Sequence, residues 1–292
     1  MQPFDSMTLI EDAAPLDRVV APLRQAVHRV LRGQRVRNLL HGVWLGHPLH
    51  PALVLAPVGS LMSVSVLDLV GADDRGARVL IRTGLLTAVP AAAAGLADWS
   101  EMHHQQQRVG LVHAASNVTG LGLYAASLAA RTRGDRTSGA VLAMLGLGAL
   151  SLGGYLGGHL TYRQAGGANH AEDVPHRVGA GWHDLCAVDD LEAEGDPTVR
   201  MLGDVALLVV RREREIDVLA DRCTHLGGPL HEGEVSADAT CITCPWHGST
   251  FRLSDGAVMS GPATAPQHAF DVKVENGRVL VRLPGAGSGR RS

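Results

Sequence analysis

Four long apolar stretches, at about residues 51–70, 79–99, 109–130 and 138–160, dominate the first half of the chain. At about 1.5 Å per residue, ~20 helical residues span a hydrocarbon core of about 30 Å, so each stretch is long enough to cross a membrane. Short polar turns join them, such as Ala72-Asp-Asp-Arg-Gly76 and Arg131-Thr-Arg-Gly-Asp-Arg136. The stretches are rich in Gly, Ala and Ser, and the pairs Gly153/Gly157 and Gly154/Gly158 have the spacing that lets helix backbones approach closely. Buried helices of a soluble bundle are the alternative, which would require four consecutive helices of unusual length and apolarity.

Upstream, Val19, Val20, Leu23, Val27, Val30 and Leu31 recur at helical spacing, with Arg18, Arg24, Arg29 and Arg32 on another face. This predicts an amphipathic helix lying on an anionic membrane surface, with packing on the following domain as the alternative. After the fourth stretch the period changes. Residues 164–176 read as a polar, glycine-bearing linker that lets the next domain move. Alternation at residues 205–210, 216–219, 272–275 and 279–283, with an Asn276-Gly277 turn, predicts antiparallel strands. The Gly, Ser and Arg tail is expected to be disordered. The fold class is therefore multidomain: an all-α four-helix transmembrane bundle followed by an all-β domain. The expected partition is an N-terminal helix in 1–40, the bundle in 41–163, the linker in 164–176, the β domain in 177–284 and the tail in 285–292.

The net charge of −3, with basic residues nearly all arginine, gives no reason to expect a nucleic-acid partner. Residues 1–40 lack an apolar signal core with a small-residue cleavage site. Arginines before the first span, with Arg108 and Arg163, fall on one side, and Arg75, Arg78, Arg131, Arg133 and Arg136 on the other. The modest excess places both termini in the cytoplasm and the protein in the cell (inner) membrane.

The chemistry concentrates in Cys223-Thr-His225 and Cys244-Pro-Trp-His247. Each run brings one thiolate and one imidazole. Together they are the donor set of a Rieske 2Fe-2S centre, with Cys223 and Cys244 on one iron and His225 and His247 on the other. A Cys2His2 zinc site is the alternative. Zinc motifs, however, usually open on a pair of cysteines and close on a pair of histidines, whereas here each loop mixes the two. Cys186 and Cys241 remain, and Cys241 reads as a buried strand residue leading into the second loop.

At these residues the chain resembles the Rieske ferredoxin family. The likeness covers about residues 174–284 and includes His225-Leu-Gly-Gly-Pro-Leu230, Phe251-Arg-Leu-Ser-Asp-Gly256 and Gly261-Pro262-Ala263, which is similar to the proline loop packed over that family's cluster. Gly228 and Trp246 stand where the high-potential branch has a second cysteine in each loop, so no bridge pins the loops together. The resemblance implies that Trp246, Ser249 and Pro262 lie against the cluster, with the Ser249 hydroxyl aimed at a bridging sulfide. Phe251 replaces a frequent tyrosine and removes one hydrogen bond to a ligand sulfur. The expected potential is in the lower part of the roughly −150 to +300 mV Rieske range.

His47, His50, Asp98, His113 and His159 fall at one face of the predicted bundle, beside His103 and His104. Gly46-His-Pro-Leu-His-Pro51, Gly95-Leu-Ala-Asp-Trp99 and Gly158-His-Leu-Thr-Tyr-Arg163 resemble a bacterial family of four-helix membrane domains without assigned function, over about residues 40–163. Ionisable groups inside a membrane bundle point to function. Three ligands are candidates: a b-type haem held by His113 and His159, a metal ion bound with Asp98, or a quinone. Hydrogen bonding among the histidines and backbone is the structural alternative. Asp68 reads as an interfacial residue at a helix end. Gly120-Leu-Gly122 formally matches a dinucleotide fingerprint but lies inside a span, where it reads as helix packing.

A Rieske oxygenase would continue into a catalytic domain, which this chain does not reach. The expected function is therefore a membrane-anchored electron-transfer (oxidoreductase) component rather than a stand-alone enzyme. It would pass single electrons between a soluble partner and a membrane redox group: haem, metal or quinone. The alternatives are a redox-sensing membrane protein or transporter regulated by its cluster, and an anchored ferredoxin component of an oxygenase.

Overall fold

The computed structural model describes residues 5–191, 195–212 and 215–284; the tail predicted to be disordered, 285–292, lies outside them. The chain forms two compact units. The first takes in the chain up to Val36 together with Pro48–Gly166, and the second takes in Arg37–His47 and the chain from Gly167. The chain thus passes between units at 36–37, 47–48 and 166–167. The expected division near residue 40 gives way to an upstream segment that belongs with the C-terminal unit.

In the first unit, α1 (Asp5–Glu11) and α2 (Asp17–Val30) precede α4 (Leu49–Leu53), α5 (Leu55–Leu69), α6 (Asp74–Ser100), α7 (His104–Thr132) and α8 (Arg136–Gly158); α3 (Gln34–His41) crosses the division. Asp73 and Asp135 begin α6 and α8 by accepting from the amides of Arg75 and Ser138, which satisfies donors that a helix start leaves open. Leu61, Val64, Ile81, Tyr124 and Ala143 form the bundle core.

Among the described residues, three segments are long and apolar enough to cross a membrane: Leu49–Leu69, Asp74–Ser100 and Arg136–Arg163. The expected fourth, α7, is 29 residues long but falls short on apolarity. The cause is a polar stripe at four- and three-residue intervals: Gln106, Gly110, His113, Asn117, Gly120, Tyr124, Ser127 and Arg131. Its groups bond inward. Gln106 Nε2 donates to the Gln164 carbonyl at 2.8 Å, Tyr124 Oη to Leu61 at 3.0 Å and Ser127 Oγ to Gly139 at 2.6 Å. Arg131 closes the stripe, its side chain fully buried and bonded to Asp68 at 2.5 Å and Asp74 at 2.6 Å. Asp68, half-buried one residue before the end of α5, is the ion-pair partner of Arg131.

The amphipathic helix packs part of its apolar face on the bundle. Val20 and Val27 are buried against Trp99, with Leu23, Leu31 and Leu111 beside them. Val19 and Val30 of the same stripe are exposed, so protein covers only part of it. Arg108 grips Asp17 through Nε at 2.8 Å and Nη2 at 2.6 Å, and donates to the Glu11 carbonyl at 2.7 Å.

In the second unit, strands β1 (His183–Ala187), β2 (Pro197–Leu202), β3 (Val205–Arg212), β4 (Glu215–Ala220), β9 (Ala269–Glu275) and β10 (Arg278–Arg282) form an antiparallel sheet in the order β1-β10-β9-β4-β3-β2. A smaller sheet pairs β5 (Glu234–Val235), β6 (Cys241–Thr243), β7 (Thr250–Arg252) and β8 (Val258–Ser260). β3 explains why the run 205–210 is almost continuously apolar. Leu207 and Val209 enter one core with Val218, Val279 and Val281. Leu208 and Val210 enter the other with Leu230, Ile242, Phe251 and both Cys223 and Cys244. A strand buried on both faces needs no polar alternation. Asn276 and Gly277, at φ 50° and 76°, make the tight β9–β10 turn as expected.

The predicted linker is not loose. Ala171, Val174 and Val178 are part of the first β core, α9 covers Val174–Arg177, and the His170 amide donates to the Thr224 carbonyl at 3.0 Å.

Candidate metal centre

The two Cys/His runs fold into the same backbone turn. The Cys223 amide donates to Gly228 at 2.9 Å and its carbonyl accepts from Gly227 at 2.9 Å; the Cys244 amide donates to Ser249 at 2.8 Å and its carbonyl accepts from Gly248 at 3.1 Å. Gly227 and Gly248 both sit at positive φ, 78° and 72°. A left-handed residue at the fourth position turns each loop back on itself, which is the glycine's role here. The matched turns set the two sulfurs against each other.

Cys223 and Cys244 are 1% and 3% exposed, and among the described residues all four cysteines are free of disulfides. Hydrogen bonding from the Cys223 thiol, backed by the Trp246 and His247 amides, holds Cys244 down at about 7 despite its burial. The same contact, with burial, pushes Cys223 well up, against the His225 and Leu226 amides. Both sulfurs thus receive amides from the second and third residues onward, donors suited to a metal-bound thiolate. His225 and His247 are half-buried, their ring centroids 5.0 Å apart and nearly perpendicular. Gly228 is needed where it is: a Cβ there would lie 3.0 Å from Cys244 Sγ and from the Trp246 ring. Trp246 is 48% exposed.

Ser249 Oγ is fully buried and accepts from the Ala263 amide at 2.9 Å, so the hydroxyl retains its own proton to donate. Gly261-Pro262, a cis peptide, lies in the same loop, and Pro262 is buried. The Gly261 amide donates to Asn38 Oδ1 at 3.1 Å. Further supports gave no signal in the sequence pattern. Thr224 Oγ1 donates to Ala265 at 2.8 Å, and buried Gln267 donates to the carbonyls of Ala220 at 2.5 Å and Arg222 at 2.7 Å. Asp221, 4% exposed, accepts from His231 through its amide and Nδ1, both at 2.7 Å.

Among the described residues no three His, Cys, Asp or Glu side chains form a group that would hold a metal ion. Two buried sulfurs with amide donors and two half-buried, adjacent imidazoles fit a 2Fe-2S centre.

Residues 181–275 match the Rieske [2Fe-2S] domain family. Over 100 residues the chain is 34% identical to "Ferredoxin CarAc" of Metapseudomonas resinovorans, a match covering 34% of this chain and 92% of that protein. The chain belongs to the Rieske family. It is also 31% identical over 104 residues to the "Anthranilate 1,2-dioxygenase ferredoxin subunit" of Burkholderia cepacia, covering 36% of this chain and 94% of that one. With "Apoptosis-inducing factor 3" of Homo sapiens it shares 37% identity over 98 residues, 34% of this chain, and spans only 16% of that protein's length. Residues 46–170 match "Predicted membrane protein (DUF2231)". The Rieske domain is thus joined to a membrane-protein domain, and the zinc alternative falls away.

The membrane histidines are arranged differently from the expected haem pair. His113 Nδ1 donates to the Gly153 carbonyl at 2.7 Å, leaving Nε2 to accept from Asn117 Nδ2 at 3.1 Å. His159 Nε2 is bonded to Glu11 Oε1 at 2.6 Å. Neither nitrogen of His113, nor Nε2 of His159, is open to a haem iron, so this arrangement does not fit a haem held between them. His113 instead faces His50, edge to face at 6.5 Å, and His50 Nδ1 bonds the Ala91 carbonyl at 2.8 Å.

Proposed function

We propose that this chain is a membrane-tethered Rieske electron carrier that exchanges single electrons between a soluble partner and a membrane redox group. The observation that carries the reading is the matched pair of loops, with buried thiols and half-buried imidazoles, in a chain that also carries three apolar helices among its described residues. A bound cluster supplies the one-electron chemistry. The chain's own part is to donate amides to the sulfurs and to exclude water from them. It also presents two imidazoles at the surface, where a partner can approach and where their outer nitrogens can exchange protons. The dioxygenase ferredoxin among its relatives makes an oxygenase the first class of soluble partner to try.

The test is anaerobic purification of the whole chain in detergent, followed by iron, zinc and acid-labile sulfide analysis and electron paramagnetic resonance after reduction. A Rieske signal that disappears in Cys223→Ser and His247→Ala supports the reading. Zinc in place of iron, or a silent reduced sample, overturns it. The optical spectrum of the same sample distinguishes membrane partners: a Soret band reports haem, while extraction and identification of lipid quinone reports the other class. A reporter fused after Ser292 tests the cytoplasmic placement.

A further inference from the structure

The proline loop is held from two directions. From the ligand loops, Ser249 Oγ accepts from Ala263 at 2.9 Å. From far upstream, Asn38 Oδ1 accepts from Gly261 at 3.1 Å. Val43 packs so closely on Gly261 that a Cβ added there would stand 2.9 Å from Val43 Cγ2. Asn38 and Val43 both belong to the segment Arg37–His47, which groups with the C-terminal unit.

The segment has a defined shape. Asn38 lies on α3, a short 3-10 turn at Val43–Leu45 follows, and Gly42 and Gly46 bracket that turn at φ 83° and 78°. Trp44 Nε1 donates back to the Leu39 carbonyl at 3.3 Å. Downstream, His47 is followed directly by Pro48, the residue before α4 and the first apolar segment. The stretch that touches the proline loop is therefore the same stretch that leads into the membrane domain.

We propose that Asn38 and Val43 are positioning residues of the Rieske centre. Through Gly261 they hold the proline loop closed over the ligand loops, so that a complete site requires the segment that precedes the first apolar helix. The inference rests on the cluster-bound reading above. Without Asn38 the Gly261 amide loses its acceptor, the loop opens more often, and water reaches the site. Water stabilises the more negative reduced state and so raises the potential.

The experiment uses the full chain in detergent, loaded with cluster, comparing wild type with Asn38→Ala, Asn38→Asp and Leu39→Ala. Leu39 is 55% exposed on the same helix. The readouts are the rate of cluster bleaching by an iron chelator and the midpoint potential by protein-film voltammetry. Asn38→Ala is expected to bleach roughly fivefold faster, the factor that follows from losing one net hydrogen bond, and to move to higher potential. Asn38→Asp, which keeps an acceptor oxygen in place, is expected to bleach at the wild-type rate, and Leu39→Ala to match wild type in both readouts. Wild-type behaviour of Asn38→Ala overturns the proposal. So does equal acceleration in Leu39→Ala, or failure of Asn38→Asp to restore the rate. A wild-type sample with no Rieske signal is a different outcome, because it removes the cluster-bound reading itself.

Discussion

His113 Nδ1 donates to the Gly153 carbonyl at 2.7 Å, and the same construction recurs where His50 Nδ1 meets the Ala91 carbonyl at 2.8 Å. In both cases the residue one turn beyond the carbonyl is glycine. A Cβ at Gly157 would lie 3.2 Å from the His113 ring, and one at Gly95 would lie 2.8 Å from His50 Nδ1. Two imidazoles are thus locked in one tautomer by the backbone of the neighbouring helix, and a missing side chain makes the room.

The first prediction concerns that room. Gly95→Val should destabilise the bundle by about 1–3 kcal/mol, the usual cost of overpacking, because the ring is pinned and cannot retreat. Gly154→Ala should be close to neutral, since a Cβ there meets nothing within 4 Å. Melting of the two variants in the same detergent checks both, and equal losses would refute the distinction.

The second prediction concerns Arg131. Its buried guanidinium bonds Ser127 Oγ at 3.1 Å as well as Asp68 and Asp74. Arg131→Met leaves two carboxylates without their cation and should cost about 3–5 kcal/mol, as removal of one member of a buried pair does. Adding Asp68→Asn and Asp74→Asn to that variant should recover part of the loss, because the stranded charges are then gone. Detergent unfolding of the single and triple variants measures the recovery; none would mean that packing, not charge, accounts for the loss.

These two sites show what was legible in the sequence. The spans and ligand loops announce themselves, because length, apolarity and a mixed Cys/His spacing are local properties. The β3 run was readable as a strand, though its burial on two cores follows only from the sheets above and below it. The partners of α7 were not readable. Its polar stripe repeats at helical intervals, yet polarity alone does not say whether His113 meets His159 or His50, and only the packing of α7 on α8 decides. Of the two glycine pairs in α8, Gly153/Gly157 receives Asn117 and His113, while Gly154 faces open space. Asn38 was hidden more completely. It lies in a helical pattern beside arginines, and its acceptor role depends on a contact more than two hundred residues away in sequence.

Ser249 gives the third prediction. Its hydroxyl accepts from Ala263, and both residues are buried. Ser249→Ala leaves a buried amide without an acceptor and should cost about 1–3 kcal/mol. It also removes the donor that the family resemblance directs at the cluster, so the potential should fall, since fewer hydrogen bonds leave the reduced state less stabilised. Voltammetry and thermal melting on one preparation test the two consequences separately. An unchanged potential would show that this hydroxyl serves the proline loop alone.

The N-terminal helices give the last prediction, and its pH dependence follows from one carboxyl. Hydrogen bonding from the Arg108 guanidinium, with their mutual attraction, holds Asp17 below the ordinary carboxylate range against the opposing effect of burial. A carboxyl whose folded value lies below its unfolded value, about 3.9, contributes its full stabilisation above that unfolded value. The contribution is lost as pH falls through the folded one. Acid should therefore loosen α2 from the bundle, and Trp99, which is 6% exposed beneath Val20 and Val27, should report the release by a red-shifted emission. Two further contacts hold this region, His28 to Glu101 at 3.3 Å and His159 to Glu11 at 2.6 Å, so the comparison must isolate Asp17. In a background retaining Trp99 as its only tryptophan, Asp17→Asn should remove the part of the acid transition below about pH 4 and leave any part at higher pH unchanged. An identical transition in Asp17→Asn would show that α2 is held by its apolar stripe and not by Arg108.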